Sequence, residues 1–154
     1  MIQRIQSLYL LLVTALMTLT LLLPIASFTG SNDEVYTLTA FALTGGGASQ
    51  SSIWLGVILA ITAVVPFITI FLFKNRLLQL RLCAVEIILL LGAVAFIAIY
   101  FWLSGSNALE DIGVAHRQFG WAAIMPIPSI IIMLLAARAI FKDEALVRSL
   151  DRIR

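Results

Sequence analysis

One acidic side chain, Glu86, falls inside an otherwise apolar stretch of the chain. A carboxylate at the centre of a hydrocarbon layer is costly enough that a proton relay or ion-coupling role is its default expectation. Depth argues the other way. Glu86 comes five residues after Arg81, about 7–8 Å at ~1.5 Å per residue, which puts it near the inner end of its helix. Arg138 lies a similar distance inside the inner end of the last apolar stretch. The expected arrangement is an interhelical Glu86–Arg138 ion pair that fixes the register of two helices, with proton coupling at Glu86 as the alternative.

Other reactive residue types are sparse. Cys83 is the one cysteine, so intramolecular disulfides and thiol oxidation by a cysteine pair are excluded. Cys83 follows Gln79 and precedes Glu86 at one-turn steps, a polar-leaning stripe, and reads as a packing thiol. The one histidine, His116, excludes bis-histidine haem ligation within the chain. With Glu110 and Asp111 nearby it makes only a thin case for a metal, and a solvated loop is the plainer reading. Hydrolysis or group transfer needs a nucleophile with its base, or a metal set. No such set converges, so no catalytic, cofactor or metal residue is assigned and an enzyme is not expected.

These residues sit in a chain of 154 residues that is 62% hydrophobic and 12% charged, with a mean hydropathy of +1.08. A soluble domain carries about 25% charged residues. The fold class expected is an all-α membrane protein: one domain, 1–154, holding a four-helix transmembrane bundle. The spans run over about 7–27, 53–73, 80–103 and 119–141, with a cytoplasmic tail over 142–154. The first apolar run is longer than a signal-peptide core and has no small-residue cleavage site after it, so it is expected to stay in the membrane. Lys74-Asn75-Arg76 makes a short hairpin of spans two and three.

Pro66, in the second span, leaves a carbonyl without its donor, and the Thr62 hydroxyl is placed to help satisfy it. Gly56-x-x-x-Ala60 allows close helix approach, within the bundle or to a partner. Pro126 and Pro128 predict a local kink, with an unwound substrate site as the alternative. In the first outer loop, Val35 to Phe41 suits a short strand or small β-hairpin, an irregular interfacial loop being the alternative. Gly45-Gly46-Gly47 reads as a flexible link.

With the N-terminus inside, nine of the ten basic residues fall on the inner side and only Arg117 outside. That asymmetry predicts an N-in, C-in topology. It also explains the net charge of +2, so no nucleic-acid partner is expected. The tail is expected to be a short amphipathic helix, Leu146, Leu150 and Ile153 sharing one face. Lys142, Asp143, Glu144, Arg148, Asp151 and Arg152 mix signs along it. Such alternation suits a protein groove, a fold-back onto the inner helix ends, or an interfacial helix.

Three segments carry a family resemblance. Met1-Ile2-Gln3-Arg4-Ile5-Gln6-Ser7 leads into the first span, and Lys74-Asn75-Arg76 to Arg81-Leu82-Cys83 forms the hairpin. The third runs from Ala136-Ala137-Arg138-Ala139-Ile140-Phe141-Lys142-Asp143-Glu144 through Arg148-Ser149-Leu150-Asp151-Arg152 to Arg154. In these the whole chain resembles a family of uncharacterised four-helix membrane proteins of Bacteroidota. The resemblance implies the cytoplasmic membrane of a Gram-negative cell and supplies no activity.

The function expected is a non-enzymatic accessory or scaffold subunit acting through its tail or outer loops. Membrane lipids and a protein partner or second copy are its expected contacts. A small ion, proton or lipid transporter or channel, using Glu86 and the Pro126/Pro128 kink, is the alternative.

Overall fold

A computed structural model describes residues 2–30, 34–45, 48–73, 75–106 and 114–151. Its helices are α1 (Ile2–Leu22), α2 (Ile53–Phe71), α3 (Arg76–Ser106), the single turn α4 (Trp121–Ile124) and α5 (Pro126–Asp151). Its strands are β1 (Ala26–Gly30), β2 (Val35–Leu38), β3 (Ala42–Gly45), β4 (Ala48–Ser51) and β5 (Val114–Phe119). Among the described residues, four segments are long and apolar enough to cross a membrane: Ile5–Leu22, Ile53–Phe71, Arg76–Trp102 and Trp121–Leu146.

The long helices pack as a ring in chain order, α1 and α3 each lying between α2 and α5. A seven-residue repeat sets the packing. The repeat runs through buried Gln6, Leu10, Val13, Met17 and Thr20 on α1, and Leu55, Leu59, Thr62, Pro66 and Thr69 on α2, where Gly56 and Ala63 beside it are buried as well. On α3 they are Gln79, Cys83, Glu86, Leu90, Ala93 and Ile97. The fourth segment buries Ala122, Pro126, Ser129, Met133, Ala136 and Ile140. Steps of three and four alternate throughout, the pattern that keeps one seam facing its neighbours as helices wind left-handedly together. The outward faces are apolar too, with Leu8, Leu12, Phe67, Ile88 and Ile131 all exposed. Water would charge about 25 cal/mol for each Å² of such surface, whereas lipid does not.

Beyond the hairpin-free end of the bundle lies an antiparallel sheet of order β4-β3-β2-β1-β5. Alternation gives it two unlike faces. Ala26, Phe28, Tyr36, Leu38 and Leu43 are buried on one face, packed with Tyr100 and Phe101 of α3. On the other, register aligns Ser49, Thr44, Thr37, Ser27 and Gln118 in a row across all five strands. The hydroxyls of Thr37 and Thr44 are 3.3 Å apart in that row.

Several expectations need correcting here. The first loop is four strands rather than one hairpin, and β1 takes residues 26 and 27 that were expected in the first span. Pro24 accounts for that change: α1 stops before it, and Ile25 then donates to the Leu38 carbonyl at 2.7 Å while accepting from Gly120 at 2.8 Å. His116 and Arg117 belong to β5, not to an irregular loop. The third helix starts at Arg76 rather than near Leu80. No separate tail helix forms before Asp151, because α5 runs unbroken from the fourth span.

Candidate functional site

Glu86 is fully buried, and neither carboxyl oxygen has a protein hydrogen-bond partner. The expected Glu86–Arg138 pair is not formed. Arg138 is exposed, two residues from buried Ala136 and two from buried Ile140, so it points about 200° around the helix from the packed seam. Helix face separates these two residues, and so does depth, since Arg138 is five residues, about 7–8 Å, nearer the hairpin end than Met133, the α5 residue level with Glu86.

The height of Glu86 also differs from expectation. Gln79 Nε2 on α3 donates to the Thr69 carbonyl on α2 at 3.3 Å. Seven residues on from Gln79 and seven back from Thr69, Glu86 and Thr62 are therefore level. Arg76 Nη1 meets Asp143 Oδ2 at 3.2 Å, and ten residues along each helix put Glu86 level with Met133. Gln6 Nε2 donates to the Ala139 carbonyl at 3.2 Å, which brings Val13 of α1 to the same level. Thr62 is the middle residue of the span Ile53–Phe71, and Val13 and Met133 stand at the middles of theirs. Glu86 thus sits at mid-height of the bundle. Arg81 does not mark the inner end of the span: it is exposed partway along α3, and its long stem lets its charge reach for water.

The α2–α3 seam changes character at this level. Toward the hairpin it carries polar side chains: Glu86, Cys83 and Gln79 of α3 are level with Thr62, Pro66 and Thr69 of α2, and Gln79 bonds the Thr69 carbonyl. Toward the sheet it is apolar, with Leu90 and Ala93 against Leu59 and Leu55. The Thr62 hydroxyl donates to the Leu59 carbonyl at 2.9 Å. It does not cover its own carbonyl, which Pro66, lacking an N–H, leaves without the usual donor.

The remaining candidates scatter. Gly56 does not receive a helix: a Cβ there would stand 2.4 Å from the Phe41 ring and 2.9 Å from the Ala40 carbonyl. Pro126 and Pro128 occupy the first turn of α5, where missing N–H groups matter least. Met125 between α4 and α5 keeps helical angles (φ −58°, ψ −32°), and its carbonyl accepts from both the hydroxyl (2.9 Å) and N–H (3.3 Å) of Ser129. His116 is exposed on β5, while Glu110 and Asp111 lie outside the described residues. In the tail, Lys142 is exposed, Asp143 is engaged by Arg76 and Glu144 is half-buried. Arg148 and Asp151 continue α5, and Arg152 lies outside the described residues.

One site escaped the sequence reading altogether. Phe119 of β5 stacks on Phe101 of α3 with centroids 3.7 Å apart, and Phe28 of β1 reaches the same ring at 5.6 Å. Arg117 lies 5.9 Å over the Trp102 ring. This aromatic clasp holds the sheet edge to the bundle. Its sequence signal was the close spacing of Tyr100, Phe101 and Trp102 with Arg117 and Phe119. At the far side of β1, the Tyr36 hydroxyl donates to Glu34 Oε2 at 3.1 Å. Desolvation first, then that bond and the Glu34 charge, raise the phenol above its usual range.

No curated protein matches the chain. Residues 2–153 match the profile of one family, so the chain belongs to the family described as a domain of unknown function, DUF4293.

Proposed function

We propose that this is a multi-pass protein of the cytoplasmic membrane of a Gram-negative cell, of Bacteroidota origin, acting as a non-enzymatic accessory or scaffold subunit. Both termini and the α2–α3 hairpin face the cytoplasm, and the sheet faces out. Among the described residues six of the seven basic ones, all but Arg117, lie on the hairpin side, and exposed Trp54, Trp102 and Trp121 ring the sheet end as an interfacial belt.

The observation that carries the reading is the sheet itself. Its inner face is clasped to the bundle, while a polar row of Ser, Thr and Gln faces away from it. That is a rigid platform for contact with a protein partner or a second copy. The test is crosslinking in intact cells from Gln118→Cys, followed by purification in mild detergent. A stoichiometric partner or dimer captured from this position supports the platform, and a chain recovered alone and monomeric counts against it. The same cysteine should react with a membrane-impermeant maleimide from outside, whereas Lys142→Cys should not.

The transport alternative is favoured by one observation, the unpartnered Glu86 at mid-height. Its other element, the Pro126/Pro128 kink, lies nearer the sheet end than Glu86 does, about seven residues or ~10 Å from Met133.

A further inference from the structure

We propose that Glu86 on α3 and the Thr62 carbonyl on α2 form a proton-binding site at mid-height of the bundle, reached from the hairpin side and closed toward the sheet. This does not rest on the platform reading, and it holds whether or not any species crosses the membrane.

The site follows from two deficits on adjacent helices at one level. Glu86 offers two buried oxygens with no protein partner. Pro66, one turn beyond Thr62, has no N–H to give the Thr62 carbonyl. A carboxylate facing a bare carbonyl would set two acceptors together with no donor. A carboxylic acid supplies the donor and removes the charge. A proton therefore meets both needs, whereas a metal cation would want about six oxygen ligands. The other groups at this level are Met133 of α5, Val13 of α1 and Ala63 beside Thr62, none of them charged. Cys83, one turn toward the hairpin, is the other ionisable side chain fully buried between the helices among the described residues.

Access follows from the seam. Cys83 and Gln79 lead in successive turns from Glu86 toward the Arg76–Asp143 pair at the hairpin end. In the other direction Leu90, Ala93 and Ile97 are packed against apolar neighbours. Along α3 the polar positions lie on one side of Glu86 only, and the buried hydroxyls on the sheet side, Ser129 of α5 and Thr20 of α1, donate within their own helices to the Met125 and Leu16 carbonyls.

The experiment is labelling of the full-length protein, in micelles and in sealed vesicles of known orientation, with the hydrophobic reagent dicyclohexylcarbodiimide. The carboxylic acid O–H adds across one C=N bond of the reagent with no leaving group, so peptide masses report protonated Glu86 directly. One adduct is expected, on Glu86, falling as the pH is raised from about 5 to about 10 and absent from Glu86→Gln. In vesicles the adduct should follow the pH on the hairpin side and ignore the other side. Pro66→Ala returns an N–H to Thr62 and should move the midpoint of the profile. The unsubstituted protein suffices if a variant fails to fold. A folded protein unlabelled at every pH, protection by sodium at constant pH, or control from the sheet side would each overturn the proposal.

Discussion

The Arg76 guanidinium bridges two acceptors of one residue, meeting Asp143 Oδ2 at 3.2 Å and donating to the Asp143 carbonyl at 3.4 Å. It thereby ties the first turn of α3 to α5 where that helix leaves its apolar stretch. The carboxylate also lies beside the start of α3, where the helix dipole favours negative charge. With side chains 26% and 15% exposed, the pair is partly screened. A double-mutant cycle on Arg76→Ala and Asp143→Ala, read by unfolding in detergent, should give a coupling of about 1 kcal/mol or less. It should shrink with added salt, and a salt-independent coupling of several kcal/mol would contradict the partial exposure.

Glu86→Met should stabilise the isolated protein at alkaline pH, where the parent buries a carboxylate without a donor, by about 1–3 kcal/mol. The gain should shrink toward acid pH, where the carboxylic acid can donate to the Thr62 carbonyl and Met cannot. Glu86→Lys should block folding, since it places an uncompensated cation among Val13, Leu90 and Met133. Reversible unfolding in mixed micelles gives the comparison. A Met variant less stable than the parent at alkaline pH would mean that the carboxylate has a donor in the folded protein.

Two glycines make close contacts of different kinds. A Cβ on Gly120 would stand 2.4 Å from the Pro24 carbonyl oxygen, which is backbone. At Gly56 the two nearest atoms belong to the Phe41 ring, which is half exposed and free to swing, and the Ala40 carbonyl oxygen, which is backbone, follows at 2.9 Å. Gly120→Ala should therefore cost about 1–3 kcal/mol, and Gly56→Ala somewhat less. Thermal melts of the two variants side by side decide the order.

Tyr36 sets an alkaline limit on the sheet. Its raised pKa means that the folded state holds the phenolic proton more tightly than the unfolded chain does. The stabilisation is complete below the unfolded value near 10 and disappears as pH rises through the folded one. Phenolate absorbance of the parent protein minus that of Tyr36→Phe should show the Tyr36 component titrating above the ordinary phenol value. Glu34→Gln should lower its midpoint only in part, because desolvation is the larger cause. A return to the ordinary value would reassign the shift to the Glu34 charge.

Hydropathy alone located the helices, since each of four apolar runs is long enough to cross a membrane by itself. The sheet was hidden for a physical reason. Strands such as Ala48–Ser51 are four residues of small and polar types, and the edge pairing Ser27↔Gln118 joins segments far apart in the chain. Local propensity carries no trace of such a partner. The Glu86–Arg138 expectation failed on both depth and angle: Glu86 is level with Met133 rather than Arg138, and Arg138 faces away from the seam. Arg138 sits between Ala136 and Ile140 in the seven-residue repeat, and that repeat was present in the sequence all along. The aromatic clasp was half legible: its residues stand out, but only the β1–β5 register brings Phe119 onto Phe101.

The β1–β5 pairing imposes an order of events during synthesis. β1 emerges from the ribosome early, yet its outer neighbour is made some ninety residues later, between 114 and 119. Until then the strand presents a row of unsatisfied backbone groups, the kind of edge that recruits another chain. A polypeptide stalled or cleaved after α3 would keep that edge exposed indefinitely. Completion of β5 moves the open edge outward to a strand pinned on α3 by the Phe119–Phe101 stack, so the edge of β1 stays bare only until residue 119 is made.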